Sequence, residues 1–480
     1  MPAALAGPDA PIHTTLDAAV QRLANAALRT QLAELQGRQV EDGAVLVLDN
    51  ASGEVLAWVG SSGPGLSDAA QVDAVLARRQ PGSTIKPFLY ELAFEQGLIT
   101  PASLLHDSPA DLDGGSGAFM PRNYDHRYRG WVSARTALAA SLNVPAARVA
   151  DLVGAEALFN RLNALGLSLS ESPGFHGLAL ALGSADVTLL QLTNAYRSLA
   201  NRGRWSAVVG RTQGRVLSAS ANGGGAVIGA PVADPLAVFQ VSDILADASA
   251  RATTFGLDST LVTRGFAAVK TGTSKDMRDN WCIGFTERYT VGVWVGNASG
   301  EAMRRVSGTQ GAAPVWRELV QRLHAGRVSR PPSPPSGLVA QQISFDQAVE
   351  PPRREWMKSG SGVGLVGVPV GVAVGDQAED LTTIQRVRAG EQLTRQRPSG
   401  IASPRDGTLF ALDPDMPAQV QRIAFAGEPG QWWLDGQRIG RGAGLAWAPW
   451  PGRHRLELKA DDGRLLGRVA FEVRGASLRR

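Results

Sequence analysis

The chain has 480 residues, a length that predicts two or three domains. Hydrophobic residues make up 44% of it and charged residues 19%, a balance that excludes a disordered or fibrous protein. The formal net charge is only +4 and Cys282 is the single cysteine, so the composition indicates neither a nucleic-acid-binding surface nor a disulfide framework or multi-cysteine metal site.

The first residues carry no export signal. The segment MPAALAGPDAPIHTTLDAAVQ lacks the basic start and the continuous apolar core of a signal peptide. No stretch approaches the roughly 20 apolar residues of a membrane span. We therefore expect neither a signal peptide nor a membrane segment in this chain. Apolar residues at helical spacing predict a helix over 15–36, and two strand-like runs around a Gly-containing turn predict a β-hairpin over 43–60.

The middle of the chain is helical and its following part is rich in strands. Helices are predicted over 86–97, 131–153, 155–166, 185–201, 234–250 and 313–325, and strands over 265–274, 280–286 and 288–297. An early hairpin, a helical block and three late strands predict an α+β domain. Its antiparallel sheet is then built from both ends of the sequence, with helices inserted.

The last third of the sequence changes character at a Pro/Ser-rich stretch, RVSRPPSPPSG. Beyond it lies a Gly-rich run at 359–375, and from about 396 short strands alternate with turns, which predicts a small all-β sandwich. The sequence therefore predicts four parts: an N-terminal linker helix over 1–38, an α+β domain over 39–326, a Pro/Gly-rich linker over 327–395 and a C-terminal β-sandwich over 396–480.

The tetrad Ser83-Thr84-Ile85-Lys86 is the first candidate for chemistry. Residues three positions apart share a helix face, so the Lys86 amine is expected to touch the Ser83 hydroxyl. A buried lysine with a lowered pKa can accept the proton of a serine nucleophile. Lys86 is also notable because the chain contains only five lysines. Taken alone, the tetrad is weak evidence, because most such tetrads in proteins are accidental pairs on a helix surface.

Two further motifs add specificity. Ser141-Leu142-Asn143 is expected at a helix end or loop, where Ser and Asn are also ordinary capping residues, and a second Ser-x-Asn at 220–222 shows how common the pattern is. Lys270-Thr271-Gly272-Thr273 lies in a β-rich run. A lysine, hydroxyls and strand amides there suit an extended peptide that ends in a carboxylate, although a protective lysine on an edge strand is the simpler alternative.

The remaining candidates favour structural roles. The six histidines show no metal spacing and no Gly-x-Ser-x-Gly motif accompanies them, so we expect no metal, no cofactor and no Ser-His-Asp triad. Trp281 and Trp294 are interpreted as core or cleft wall, Asp279 as a turn cap, and the Trp432-Trp433 pair as core of the C-terminal domain.

The three motifs occur in the order of a known set: Ser-x-x-Lys, Ser-Asp-Asn and Lys-Thr-Gly in penicillin-binding proteins and class A β-lactamases. Their starts are 58 and 129 residues apart. The segments RRQPGSTIKPFLYELAFEQGLITPASLL, PRNYDHRYRGWVSARTALAASLNVPAARV and VKTGTSKDMRDNWCIGFTERYTVGVWVGN resemble class A penicillin-binding proteins, and most closely their 1C type. Leu142 in place of Asp favours penicillin-binding proteins over β-lactamases.

The resemblance implies a D,D-transpeptidase domain of the penicillin-binding/serine β-lactamase-like fold. In that reading Ser83 attacks the D-Ala-D-Ala bond of a peptidoglycan stem peptide, Lys86 accepts its proton and Ser141 relays a proton to the leaving amine. Asn143 holds the substrate amide, and Lys270, Thr271, Gly272 and Thr273 bind the terminal carboxylate. An amine of a second stem peptide resolves the acyl-enzyme, and β-lactam antibiotics are inhibitors.

The resemblance also implies a setting. Class A proteins of this type carry a membrane anchor and a glycosyltransferase domain before the transpeptidase. Since PIHTTLDAAVQRLAN resembles the linker after that domain, we expect the glycosyltransferase half to be absent from these 480 residues. The implied location is the periplasm or the periplasmic face of the bacterial inner membrane. Implied partners are stem peptides, β-lactams and, through the C-terminal domain, cell-wall synthesis proteins.

Two alternatives stay open. A D,D-carboxypeptidase or serine β-lactamase uses the same acylation but passes the acyl group to water. A non-catalytic penicillin-binding scaffold or sensor binds β-lactams and forms no product. The persistence of a penicillin label and the release of D-Ala separate these readings from a transpeptidase.

Overall fold

A computed structural model describes residues 13–113, 118–210, 216–217, 229–345, 349–361, 365–366, 400–404, 408–411 and 422–474. The Ser-x-Asn pattern at 220–222 and most of the Gly-rich run at 359–375 lie outside these residues. The chain divides into two compact units. The first comprises Met1–Ala102, Ser133–Gln341 and Arg354–Gly362, and the second Ser103–Val132, Gln342–Arg353 and Val363–Arg480. The domain boundaries expected from the sequence stay a prediction.

A five-stranded antiparallel sheet forms the centre of the first unit. Its strands are β1 Asp42–Asp49, β2 Val55–Val59, β3 Ala268–Thr273, β4 Asp279–Phe285 and β5 Tyr289–Gly296. Their order across the sheet is β3-β4-β5-β1-β2, with Val45 opposite Val293 and Lys270 opposite Ile283. The prediction that both ends of the sequence build one antiparallel sheet is confirmed.

Ten α-helices are described in the chain: α1 Ala18–Glu34, α2 Lys86–Glu95, α3 Ala134–Ala139, α4 Asn143–Val153, α5 Ala155–Ala164, α6 Pro173–His176, α7 Leu189–Ala200, α8 Pro235–Ala246, α9 Ala248–Phe255 and α10 Ala312–Leu323. Three short 3-10 helices span Gly82–Ile85, Gly177–Leu182 and Lys275–Met277. None of the helices in the described part of the chain combines the length and the apolarity needed to cross a membrane.

Helices cover both faces of the central sheet. On one face, α1 and α10 bury Leu28 and Trp316 against the alternate valines of β5, including Val293. On the other face, α7 lies so close to β5 that a Cβ on Gly292 would lie 2.0 Å from the Thr193 hydroxyl oxygen. Since neighbouring residues of a strand point to opposite faces, this alternation sandwiches the sheet between helices. The expected α+β class is confirmed.

Two helix predictions were wrong in detail. The segment 131–153 is not one helix: it begins with the strand Gly130–Ser133, and a corner at residues 140–142 separates α3 from α4. The segment 234–250 is also interrupted, because Asp247 leaves helical geometry and its carboxylate caps the amides of Ser249 and Ala250 at the start of α9.

The other described strands are short or belong to the C-terminal part. They span Leu104–Asp107, Leu112–Asp113, Ala118–Phe119, Gly130–Ser133, Arg204–Trp205, Val208–Val209, Val216–Leu217, Ala230–Pro231, Leu338–Phe345, Arg353–Lys358 and Leu365–Val366. The C-terminal strands are Ile401–Ser403, Thr408–Ala411, Ile423–Leu434, Gln437–Trp447, Gly452–Lys459 and Leu465–Arg474.

The C-terminal strands confirm the expected all-β character. All six are linked by hydrogen bonds into one sheet, in which Ile423–Leu434 pairs with three neighbours because a bulge divides its length. Aromatic rings fill the core: Phe425 stacks on Trp447 at 5.6 Å, and Phe471 packs beside both. Trp432 is fully buried in this core, as predicted. The same prediction was wrong for Trp433, which is only partly buried and packs against the Lys459 amine, because neighbouring residues of a strand point to opposite faces.

Candidate active site

The turn that carries Ser83 is held by buried hydrogen bonds on both sides. Ser83 lies in the 3-10 helix Gly82–Ile85, which continues directly into α2. Ser83 is partly exposed. The Tyr196 hydroxyl donates to the carbonyl of Thr84 at 2.7 Å, and the Trp281 indole donates to the carbonyl of Gln80 at 2.8 Å. Tyr196 and Trp281 are both fully buried. The position of the Ser83 backbone is therefore fixed from two different elements, α7 and β4.

Three glycines bring backbone into contact with backbone at this turn. Gly82 and Gly183 have φ angles of +54° and +84°, in the left-handed region that favours glycine. A Cβ on Gly183 would lie 2.2 Å from the carbonyl oxygen of Gly82, and a Cβ on Gly272 would lie 2.3 Å from that of Pro81. The space that Gly272 leaves open is therefore filled by the turn that carries the serine.

The second motif forms a tight corner around the Lys86 amine. Ser141 follows α3 with a φ of +62°, and Asn143 begins α4. The Lys86 Nζ donates to the carbonyls of Ser141 at 2.7 Å and Leu142 at 3.1 Å, and to Asn143 Oδ1 at 2.6 Å. These bonds match the three N–H donors of an ammonium group. The prediction of a helix end or loop at this motif is confirmed.

The predicted contact between the Lys86 amine and the Ser83 hydroxyl is not found as a hydrogen bond, because the amine is bonded to the second motif instead. No hydrogen bond joins the Ser83 hydroxyl to the Lys86 amine within the described part of the chain. Both residues nevertheless lie on the same short segment, and Lys86 is fully buried below the turn. The lysine thus connects the turn of Ser83 to the second motif.

The third motif reaches the same corner from the sheet. The Lys270 Nζ donates to the Ser141 hydroxyl at 2.7 Å and to the carbonyl of Thr271 at 2.8 Å. Burial lowers the pKa of Lys270 to about 7; the neighbouring Cys282 opposes this shift and the buried cation of Arg251 adds to it. Ser141 is therefore bonded to two buried lysines, to Lys86 through its carbonyl and to Lys270 through its hydroxyl.

The end of β3 completes the cleft. Thr271 and Gly272 pair with Cys282 and Trp281 across the sheet, and the Thr273 hydroxyl accepts a hydrogen bond from the Gly308 amide at 3.1 Å. Exposure separates the motif residues into two groups. Ser83, Ser141, Asn143 and Thr273 are partly exposed, whereas Lys86, Lys270 and Thr271 are buried. Hydroxyl and amide groups line an accessible surface, and the two amines lie beneath it.

Several residues that support this arrangement have no recognisable signal in the sequence. Tyr196 and Arg251 lie in helical patterns that give no sign of a partner at Thr84 or near Lys270. Asp279, interpreted as a turn cap, does accept from the Ser274 hydroxyl at 2.8 Å and also from the Trp294 indole at 3.0 Å, and burial raises its pKa.

A separate cavity of about 470 Å³ lies at the other end of the same strands. It is lined by Phe266, Phe285, Phe239 and Arg330, among others. Phe285 closes β4 opposite the start of β3, whereas the third motif ends β3. None of the motif residues lines this cavity, so its volume contributes nothing to the candidate site.

Comparison with known proteins agrees with the geometry. The family model described as penicillin binding protein transpeptidase domain matches residues 43–321, more than half of the chain. The chain belongs to this family. A second model, described as the penicillin-binding protein C-terminus family, matches residues 388–471.

Individual relatives show the same relationship. The chain is 32% identical over 336 residues to penicillin-binding protein 1C of Escherichia coli, covering 69% of this chain and 41% of that protein. The chain thus spans about two fifths of the length of this relative.

Solved structures share the fold. Penicillin-binding protein 1A of Haemophilus influenzae aligns with a TM-score of 0.61 and 19% identity over 73% of this chain and 72% of that chain. The PonA1 protein of Mycobacterium tuberculosis, solved with penicillin V, aligns with a TM-score of 0.54 and 22% identity over 68% of this chain and 88% of that chain. The penicillin-binding transpeptidase fold expected from the sequence is confirmed.

Proposed function

We propose that this penicillin-binding chain is a serine D,D-transpeptidase that cross-links peptidoglycan stem peptides through an acyl-enzyme on Ser83. Membership of the transpeptidase family supports the general activity. The observation that carries the finer proposal is the convergence of three separate segments on Ser141, whose carbonyl and hydroxyl bind the two buried lysines.

In the proposed acylation step, the Ser83 oxygen attacks the carbonyl carbon between the two terminal D-alanines. The hydroxyl proton passes to a neutral Lys86 amine, which keeps two of its hydrogen bonds and offers its lone pair. The C–N bond to the terminal D-Ala then breaks. Ser141, bonded to both lysines, relays the proton from Lys86 to the leaving amine nitrogen: its hydroxyl proton goes to the nitrogen and the proton held by Lys86 replaces it, so that Ser141 and Lys86 both return to their starting forms. The products are free D-Ala and an ester on Ser83.

The other motif residues are proposed to hold the donor peptide. Asn143 binds its amide side, and Lys270, Thr271 and Thr273 face the terminal carboxylate. Because Gly272 packs on the Ser83 turn, the backbone amides of Ser83 and Thr273 lie on adjoining segments. We assign them to the developing oxyanion, a type of contact worth about 3–4 kcal/mol per donor.

The second step decides between related functions. In a transpeptidase an amine of a neighbouring stem peptide attacks the ester carbon, forms the cross-linking amide and returns the proton to Ser83. If water attacks instead, the chain is a carboxypeptidase. β-Lactams are proposed to acylate Ser83 and remain bound. The fold-related PonA1 protein, which was solved with penicillin V, supports this choice of inhibitor.

The cellular setting belongs to the same proposal. Action in the periplasm on stem peptides, and contacts of the C-terminal domain with cell-wall synthesis proteins, are inferred from the family. The full-length relatives are longer than this chain, so their complete activity is not transferred to it. Glycan polymerisation is not proposed for these 480 residues.

A labelling experiment tests the function. The wild-type chain, Ser83→Ala and the control Ser333→Ala, which changes an exposed serine in the Pro-rich stretch, are incubated with a fluorescent penicillin. We expect one label per molecule in the wild type and the control, stable for many minutes, and none in Ser83→Ala. With a pentapeptide donor and an amine acceptor, wild type should release D-Ala and form a cross-linked product.

The outcomes separate the alternatives. A label lost within minutes indicates a β-lactamase, and D-Ala release without cross-linking indicates a carboxypeptidase. A stable label without any peptide product indicates a binding module. Labelling of Ser83→Ala, or no labelling of wild type, refutes the acyl-enzyme proposal.

A further inference from the structure

A buried ion cluster lies next to the second motif. Arg135 of α3 is 4% exposed and Glu355 is 1% exposed. Their side chains form a two-pronged pair, with Arg135 Nε 2.8 Å from one carboxylate oxygen of Glu355 and a terminal nitrogen 2.5 Å from the other. The same guanidinium contacts Asp247 at 3.1 Å and also bonds Asp243. Planar guanidinium and carboxylate groups in this geometry restrict each other's orientation.

Among the described residues, these contacts join one cation to three carboxylates. Burial raises the pKa of Asp243. The side chains of Asp243 and Asp247 are each about one third exposed, so solvent screens part of their charge. Glu355 has no such access, since its side chain is fully buried. Glu355 also binds Arg135 through both of its carboxylate oxygens, so of the three carboxylates it restricts the orientation of the guanidinium most.

Glu355 belongs to a segment that follows the matched transpeptidase region, which ends at residue 321. Neighbouring residues fix this segment. The Gln240 side-chain amide donates to the carbonyl of Trp356 at 2.8 Å, and the Trp356 ring packs edge-on against Phe239 at 5.5 Å. Lys358 is 3.2 Å from a carboxylate oxygen of Asp234. The carboxylate of Glu355 is thus held in place by α8.

Arg135 transmits this constraint to the second motif. It lies in α3, only six residues before Ser141. The amides of Ala140, Ser141 and Leu142 donate to the carbonyls of residues 136, 138 and 137, so the corner is hydrogen-bonded onto α3. A rotation or shift of this short helix would move the carbonyls that bind Lys86 and the hydroxyl that binds Lys270.

From this chain of contacts we propose that Glu355 is a positioning residue for acylation: it holds Arg135 and α3, and thereby sets the corner at residues 141–143. The proposal deepens the function proposed above and rests on it. It also means that the segment 354–358 belongs functionally to the active-site unit.

The test compares two full-length variants. Glu355→Gln keeps the shape of the side chain and removes its charge. The control Glu287→Gln makes the same change at an ion pair with Arg327 and Arg330 at the protein surface. Both are assayed where circular dichroism shows them fully folded, and stopped-flow with a fluorescent penicillin separates the initial binding constant from the acylation rate constant. We expect Glu355→Gln to lower the acylation rate constant roughly ten- to hundredfold, as for displaced catalytic groups, and the control to match wild type.

A second readout does not depend on penicillin. Hydrogen exchange of the amides of Ala140, Ser141 and Leu142 should be faster in Glu355→Gln and unchanged in Glu287→Gln. If wild type takes no label, the proposed function fails, and this exchange still decides the positioning role.

Three outcomes would overturn the positioning role of Glu355. A folded Glu355→Gln with the wild-type acylation rate constant, or with unchanged exchange at residues 140–142, overturns the proposal. If Glu355→Gln does not fold, Glu355→Asp is measured in the same way, because it keeps the charge and withdraws it by one methylene. If neither variant folds, Glu355 serves stability alone and the proposal is wrong.

Discussion

Replacing Lys270 by methionine should stabilise the first compact unit at neutral pH while abolishing penicillin acylation. Lys270 is 3% exposed, and burial lowers its pKa from the ordinary 10.5 to about 7. Methionine is unbranched and of similar length, so it fills the same space without a charge. The substitution therefore isolates the free-energy cost of burying the amine.

The size of the effect follows from the difference in proton binding. At pH 7 the unfolded chain holds the Lys270 proton almost completely and the native chain holds about half. A difference of 10.5 − 7 = 3.5 pKa units then costs the native state about 4 kcal/mol. The methionine variant loses the hydrogen bonds to Ser141 and Thr271, worth about 1 kcal/mol each. We expect a net stabilisation of about 2 kcal/mol at pH 7.

The sign of the pH dependence is specific. Between pH 7 and 10.5 the native amine is neutral while the unfolded one still carries its proton, so wild-type stability rises with pH, by up to about 1.4 kcal/mol per unit. The variant lacks this rise. Its advantage should be largest below pH 7 and should vanish near pH 9, where the lost hydrogen bonds offset the remaining penalty.

Pulse proteolysis in urea measures the free energy of unfolding at each pH. Detection of peptides from residues 268–296 restricts the measurement to the first compact unit. Separate scoring is needed because two compact units need not unfold together. The control Lys275→Met alters an exposed lysine in the next turn and should show no pH-dependent difference. An advantage that is equal at pH 6 and pH 9, or a loss of stability at every pH, would refute the reasoning.

Three further changes test other parts of the structure. Tyr196→Phe leaves the buried carbonyl of Thr84 without its donor; we expect a loss of about 1–3 kcal/mol in urea unfolding and slower acylation by a fluorescent penicillin. Gly183→Ala puts a Cβ against the Gly82 carbonyl at a positive φ, so this variant should lose penicillin labelling. The control Gly174→Ala, where a Cβ meets no atom within 4 Å, should keep it. Trp432→Ala empties the core of the C-terminal sheet; a loss of about 3–5 kcal/mol should lower the temperature of one calorimetric transition, and an unchanged thermogram would contradict the assigned core.

The sequence predicted the sheet well because its strands have local signals. The hairpin at 43–60 and the runs that become β3, β4 and β5 are β-rich and separated by turns, so element type followed from composition. The three motifs could also be recognised from spacing. The resemblance carried by these motifs then predicted the transpeptidase fold.

The features that could not be predicted from the sequence depend on contacts between residues far apart along the chain. The corner at Ser141 interrupts a helical pattern because Lys86, 55 residues earlier, binds the carbonyls there. Arg135 is an ordinary helix residue until Asp243 and Glu355 are brought to it from later segments. Asp247 looked like part of one helix, yet its carboxylate caps the next. Such pairings carry no periodicity, so local patterns do not indicate them.

The strand order of the central sheet has a consequence for biosynthesis. β1 pairs with β5, and Asp42 lies opposite Gly296. The nearest pair of this ladder, Asp49 and Tyr289, is 240 residues apart, so a ribosome must release that length of chain before the two strands can meet, and closing so long a loop delays folding. Until then the early hairpin presents an unpaired strand edge, which is a site for aggregation. Assistance by a chaperone during synthesis should consequently matter more for this unit than for one built from sequential hairpins.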